Sequence, residues 1–138
     1  DSGLGGLTIL NQLKKDYPNK QFLYFGDTAH LPYGTKSKES IIKFSDQIVD
    51  FLISKGASII IVACHSASSV ALDYLNDKYN IPIIGVVASS INQAINKTST
   101  KTIGVLGTHT TVVSKSYSSK IMSIDNKIIT HEIGRKLL

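Results

Sequence analysis

Short apolar runs separated by longer amphipathic segments constrain this chain more than any other feature. Five runs rich in β-branched or aromatic residues recur: "QFLYFG" (21–26), "SIIIVA" (58–63), "IPIIGVV" (81–87), "KTIGVLG" (101–107) and "KIITHE" (127–132). Most of them lack strict alternation, which is the pattern of strands buried on both faces. Helical periodicity fills the intervals. "SKESIIKFSDQIVDFLISKG" (37–56) sets Ile41, Phe44, Ile48, Phe51 and Leu52 on one face and stops at Gly56. "SASSVALDYLNDKY" (66–79) and "TTVVSKSYSSKIM" (110–122) repeat the pattern more weakly, and "GGLTILNQLKKDYP" (5–18) reads as a helix ending before Pro18.

Strand, helix, strand in succession means right-handed crossovers and a parallel sheet with helices on both faces. The expected fold class is therefore α/β: three layers, doubly wound, flavodoxin-like. At 138 residues and 42% hydrophobic content the chain has the size of one domain, 1–138, with its own core. No repeat, linker or low-complexity stretch divides it. The single cysteine excludes an internal disulfide framework and points to a reducing compartment. No run approaches the roughly 20 apolar residues of a membrane span, and no signal peptide is visible, so a cytoplasmic location is expected. Asp1 stands where Met would begin a complete chain, which raises the expectation of a truncated or processed start. The net charge of +5 comes from lysines spread over helices and loops, with Arg135 the lone arginine. Sequence-specific nucleic-acid readers lean on arginine forks, so the charge is read as solvated surface and no nucleic-acid partner is expected.

Sheets of this kind bind ligands beyond the carboxyl ends of their strands. Four short polar stretches should gather there: "DSGLGG" (1–6), "GDTAHLPYG" (26–34), "CHSAS" (64–68) and "GTHTT" (107–111). The last three directly follow an expected strand, and the first would do so if a strand preceded Asp1. Cys64 thus lies at the lip of the sheet. Most free cysteines behave as small buried hydrophobes, but this one heads an expected helix, where backbone N–H groups and the dipole favour a thiolate. Ser66 and Ser68 are natural caps for that helix. "DSGLGG" fails the dinucleotide fingerprint, since Thr8 occupies the third glycine position, and turn chemistry explains it as well as binding does. "HLPYGTKS" reads equally as a Pro-Tyr-Gly turn or as a loop presenting Tyr33 and Gly34 backbone groups to a ligand. His30, His65 and His109 each follow a strand, but their spacing matches no closed zinc motif, so no metal is expected.

Taken together, "DSGLGGLTIL", "YFGDTAHLPYGTKS", "VACHSASSVAL", "IPIIGVV" and "IGVLGTHTTVVSKSY" resemble the N-terminal half of glutamate racemases, in order and at fitting intervals over about residues 1–117. The resemblance implies a cofactor-independent racemase of the aspartate/glutamate racemase superfamily, which supplies D-glutamate for peptidoglycan. It implies Cys64 as the first catalytic cysteine, Asp1 with Ser2 and Tyr33 with Gly34 as substrate-binding pairs, and His65 with Ser66 at the family's Asn-Thr position. His65 departs from that pattern, and so does "GVVASS" after the third run. The family's second cysteine, followed by Thr-His, lies in a second domain that this sequence does not include. The chain is accordingly expected to be an N-terminal racemase domain or fragment carrying one half of the site, with glutamate as its small-molecule partner. A homodimer could bring a second Cys64 across a two-fold axis. The competing readings are a substrate-binding half-domain without activity and a Cys64-dependent hydrolase using His65, His30 or His109 as base.

Overall fold

The computed structural model describes residues 1–135, and its helices and parallel strands alternate along most of the chain. Helix α1 (Leu7–Asp16) is followed by an extended stretch, a short 3-10 turn at Tyr33–Thr35 and helix α2 (Lys38–Ser54). Strand β1 (Ile60–Val62) leads into α3 (His65–Val70) and α4 (Leu72–Lys78), and β2 (Ile83–Gly85) into α5 (Val86–Lys97). Strand β3 (Thr102–Thr108) then precedes α6 (His109–Val113), α7 (Ser116–Ile124) and β4 (Ile129–Arg135).

The strands pair in parallel as two separate ladders. β1 lies on β2, with Ile61 opposite Ile84, and β3 lies on β4, with Val105 opposite Glu132. The single sheet expected from the alternation is thus divided in the described residues, and the core divides with it. One cluster joins Tyr33, Ile41, Val49, Ile60, Leu75 and Ile83. The other joins Val87, Ile91, Ile103, Ile121 and Ile128.

Three local expectations also need correction. "QFLYFG" is extended but carries no strand assignment. Its ladder contact is at Asp1, whose amine donates to the Phe25 carbonyl at 3.0 Å while the Asp27 N–H donates to the Asp1 carbonyl at 2.9 Å. That alternation is one rung of a parallel ladder, with Asp1 opposite Gly26. The run at 81–87 stops as a strand at Gly85, and Val86 opens α5, a helix whose Val87 and Ile91 point one turn apart into the second core. The helices expected at 66–79 and 110–122 are each broken once, at Ala71 and at Lys115, whose φ of 55° cannot continue a right-handed helix.

Helix α2 forms as its sequence predicts. The Ser37 hydroxyl caps it by accepting the Ser40 N–H. At its other end Gly56 takes φ 91°, with the Gly56 and Ala57 N–H groups returning to the Ile53 and Leu52 carbonyls, a Schellman closure that suits glycine. Among the described residues no helix is long and apolar enough to cross a membrane.

A cavity of about 1080 Å³ is lined by residues 20–25 and 57–63 and by apolar side chains of α1 and α2, and its lining includes Asp1, Tyr33 and Cys64. A second cavity, about 420 Å³, lies along β3 and holds His65, Thr108, Thr111 and Tyr117.

Candidate active site

Cys64 follows β1 by two residues and is the extended N-cap residue of α3. Its carbonyl accepts the Ser68 N–H at 2.8 Å, which starts the helix. Its own side chain, in a residue only 9% exposed, forms no cap bond. The thiol therefore stands where strand gives way to helix without being spent on the helix cap. Two serines downstream have separate tasks. Ser68 donates to the Val62 carbonyl at 2.7 Å and accepts the Val86 N–H at 3.3 Å, joining the ends of β1 and β2. Ser66, also buried, lies 3.0 Å from the Thr108 hydroxyl.

That contact brings the two ladders together. Thr108 caps α6 by accepting the Thr111 N–H, and its hydroxyl is 3.0 Å from that of Thr111. Thr110 donates to the Gly34 carbonyl at 3.0 Å and to that of Lys36 at 3.2 Å. Gly34 lies so close to Thr108 that a Cβ there would stand 2.5 Å from its methyl group. The hydroxyl run of "GTHTT" thus holds the Tyr33–Gly34 turn against the start of α3.

Asp1 and Tyr33 meet through Asp27. The Asp1 carboxylate accepts the Gly3 N–H at 2.7 Å, closing the turn that contains Ser2. Tyr33 donates to the Asp27 carboxylate at 2.6 Å, and Nδ1 of His30 lies 2.8 Å from its other oxygen. Burial, and after it the Asp27 carboxylate, push the Tyr33 phenol well above its ordinary value of 10.0.

The Tyr33 shift has a definite sign. A phenol ionises near pH 10 in the unfolded chain but stays protonated in the folded one, so its contribution is complete below pH 10 and is lost above it. Unfolding free energy measured from pH 9 to 11.5 is expected to fall more steeply in the wild type than in Tyr33→Phe. Equal slopes would assign the alkaline loss to another group.

Of the residues singled out in the sequence, Asp1, Tyr33 and Cys64 line the larger cavity, while Gly34 and Ser66 adjoin Thr108. Ser2 is half-buried in the turn between Asp1 and Gly3. His65 is exposed and lines the other cavity. His30 is engaged by Asp27 and stacked on Phe44 at 4.0 Å, and His109 is exposed at the start of α6. Among the described residues no three His, Cys, Asp or Glu side chains gather as a metal site. Sequence reasoning missed Asp27, Thr108, Thr110 and Thr111 as individuals. All four lie in stretches already placed at the ligand-binding edge, directly after apolar runs.

Residues 8–132 match the family described as Asp/Glu/Hydantoin racemase. A glutamate racemase from Aquifex aeolicus is 41% identical over 121 residues, covering 88% of this chain and 48% of that protein. Among solved structures, a glutamate racemase isoform from Bacillus anthracis superposes with a TM-score of 0.93 at 33% identity, over 97% of this chain and 50% of the other. The Francisella tularensis glutamate racemase in complex with D-glutamate superposes at 0.89 with 38% identity, over 96% of this chain and 49% of the other. The chain spans about half the length of the relatives it matches.

Proposed function

Since the chain belongs to the Asp/Glu/Hydantoin racemase family, we propose that it forms one half of a cofactor-independent glutamate racemase site, with Cys64 as the acid/base for one face of the substrate. The carrying observation is Cys64 itself, a thiol between a parallel strand and a helix start, on the same cavity as Asp1 and Tyr33. Racemisation needs the α-proton removed on one face and a proton delivered to the other. In one direction of the reaction the Cys64 thiolate takes the α-proton, leaving the electron pair delocalised into the α-carboxylate, and a second acid supplies a proton from the opposite face. In the reverse direction the Cys64 thiol is the donor.

The hydroxyls of Ser2 and Ser66, and the backbone groups of the Asp1–Ser2 turn, the Tyr33–Gly34 turn and the start of α3, are suited to holding carboxylates without an arginine. His65, next to Cys64 in sequence and exposed on the second cavity, is the residue that departs from the family's usual asparagine at the start of α3. We assign glutamate as substrate and the cytoplasm as the site of action, with the product serving peptidoglycan synthesis. Residues 1–138 act as one racemase domain or fragment, and the second acid/base comes from outside it, because Cys64 is the sequence's single cysteine.

Purified chain incubated with L- or D-glutamate in D₂O tests this directly. Glutamate is expected to perturb amide signals at residues 2–3, 33–36 and 64–66. Deuterium uptake at the α-carbon should be slow or absent, without change of optical rotation. Efficient inversion at every concentration would refute the half-site assignment. Inversion growing as the square of concentration would instead assign the second face to Cys64 of another copy.

A further inference from the structure

Asp27 is a buried carboxylate that the proton transfers do not use. Its residue is 6% exposed, a costly place for an ionisable group unless each oxygen is engaged. Both oxygens are: one accepts the Tyr33 hydroxyl at 2.6 Å, and the other lies 2.8 Å from Nδ1 of His30. His30 is held in turn, stacked on Phe44 of α2 with ring planes 18° apart. Meanwhile the backbone N–H of Asp27 donates to the Asp1 carbonyl. One residue therefore grips the Asp1–Ser2 turn through its main chain and the Tyr33–Gly34 turn through its side chain.

We propose that Asp27 is a positioning residue, which fixes the two substrate-holding turns relative to each other by bonding Tyr33 and Asp1, with His30 as a brace. The two turns are separated by about thirty residues of sequence, and Asp27 belongs to both hydrogen-bond systems. The Tyr33 phenol is committed to Asp27, so the turn presents its backbone, not its hydroxyl, to a ligand. His30, with Nδ1 engaged and its face covered by Phe44, orients the carboxylate and is not a free base. For its ligand the inference rests on the glutamate-site reading above.

The test combines native-state hydrogen exchange with D-glutamate titration of the 138-residue chain. In Asp27→Ala, exchange should rise about tenfold or more at the amides of Gly3, residue 27 and Lys36, with the β3–β4 ladder unchanged. D-glutamate affinity should weaken by a similar factor. Asp27→Asn keeps an oxygen for Tyr33 and should recover part of both losses, whereas Tyr33→Phe should loosen Lys36 more than Gly3. These two variants carry the test if Asp27→Ala does not fold. Unchanged exchange at Gly3 and Lys36 would overturn the proposal, and so would uniform loosening of the whole chain. Local loosening with unaltered glutamate affinity would overturn the link to binding. Local loosening in a chain whose wild type gives no glutamate response would leave the positioning role standing and refute the glutamate-site reading instead.

Discussion

Replacing Cys64 with alanine, in a protein that supplies acid/base groups to both faces, is expected to lower glutamate inversion about 10²–10⁴-fold, the usual worth of a positioned proton-transfer group. Substrate binding should change little, since the groups assigned to the carboxylates lie on Ser2, Tyr33–Gly34 and Ser66. The thiol forms no cap bond, so its loss leaves α3 in place and removes one atom from a packed site. Cys64→Ser is a stricter variant, because it keeps the shape and replaces the thiol with a far weaker acid. Polarimetry and α-deuterium exchange read the result together. A kcat loss with KM retained fits the assignment, and near-normal interconversion in Cys64→Ala would exclude it.

Gly34→Ala should have a large structural effect at the site. The new Cβ would lie 2.5 Å from Cγ2 and 2.6 Å from Cβ of Thr108, neither of which is the far end of a flexible chain. Relief requires moving the turn away from α6, which breaks the Thr110 bond to the Gly34 carbonyl and disturbs the Ser66–Thr108 contact. A cost of about 2–4 kcal/mol is expected from overpacking with a lost buried hydrogen bond. For a chain of this size that lowers Tm by the order of 10 °C. Thr108→Gly removes both colliding atoms, so the double variant Gly34→Ala/Thr108→Gly should be more stable than the sum of the single changes implies. Simple additivity would show that Gly34 does not bear on Thr108 in solution.

The strand and helix assignments that depend on a segment's own residues were readable from the sequence. Helix α2 has its expected stop at Gly56 and buries Ile41 of its expected apolar face, but Phe51 of that face is exposed and Ser45 and Val49 are buried in its place. Cys64 could be placed at a strand-to-helix junction because "SIIIVA" ends abruptly in small polar residues. What a segment pairs with was not readable. "QFLYFG" has strand composition, but a strand exists only through its neighbour's backbone, and its described rung is at Asp1. The division into two ladders is likewise absent from the alternation, which reads the same for one sheet or two. Helix α5 was hidden because Val86 and Val87 continue an apolar run, although Val87, Ile91 and Ile95 already have helical spacing. At the site, the individual residues were legible by resemblance, whereas the hydroxyl contacts of Thr108 and Thr110 needed the fold to bring residues 34 and 66 beside them.

The two ladders have a consequence for how this chain behaves in a test tube. A ladder of two strands leaves each strand one side on which its peptide groups can recruit another chain. Here neither β1 nor β3 contains a charged residue, and proline, the other usual deterrent to such recruitment, is missing from both. Leu106 and Ile133 are also largely exposed on the second pair. Strand addition at β1 or β3 is the expected route of association in concentrated solution, so Ile59→Lys or Leu106→Lys should lower light scattering there, and unchanged scattering would exclude it.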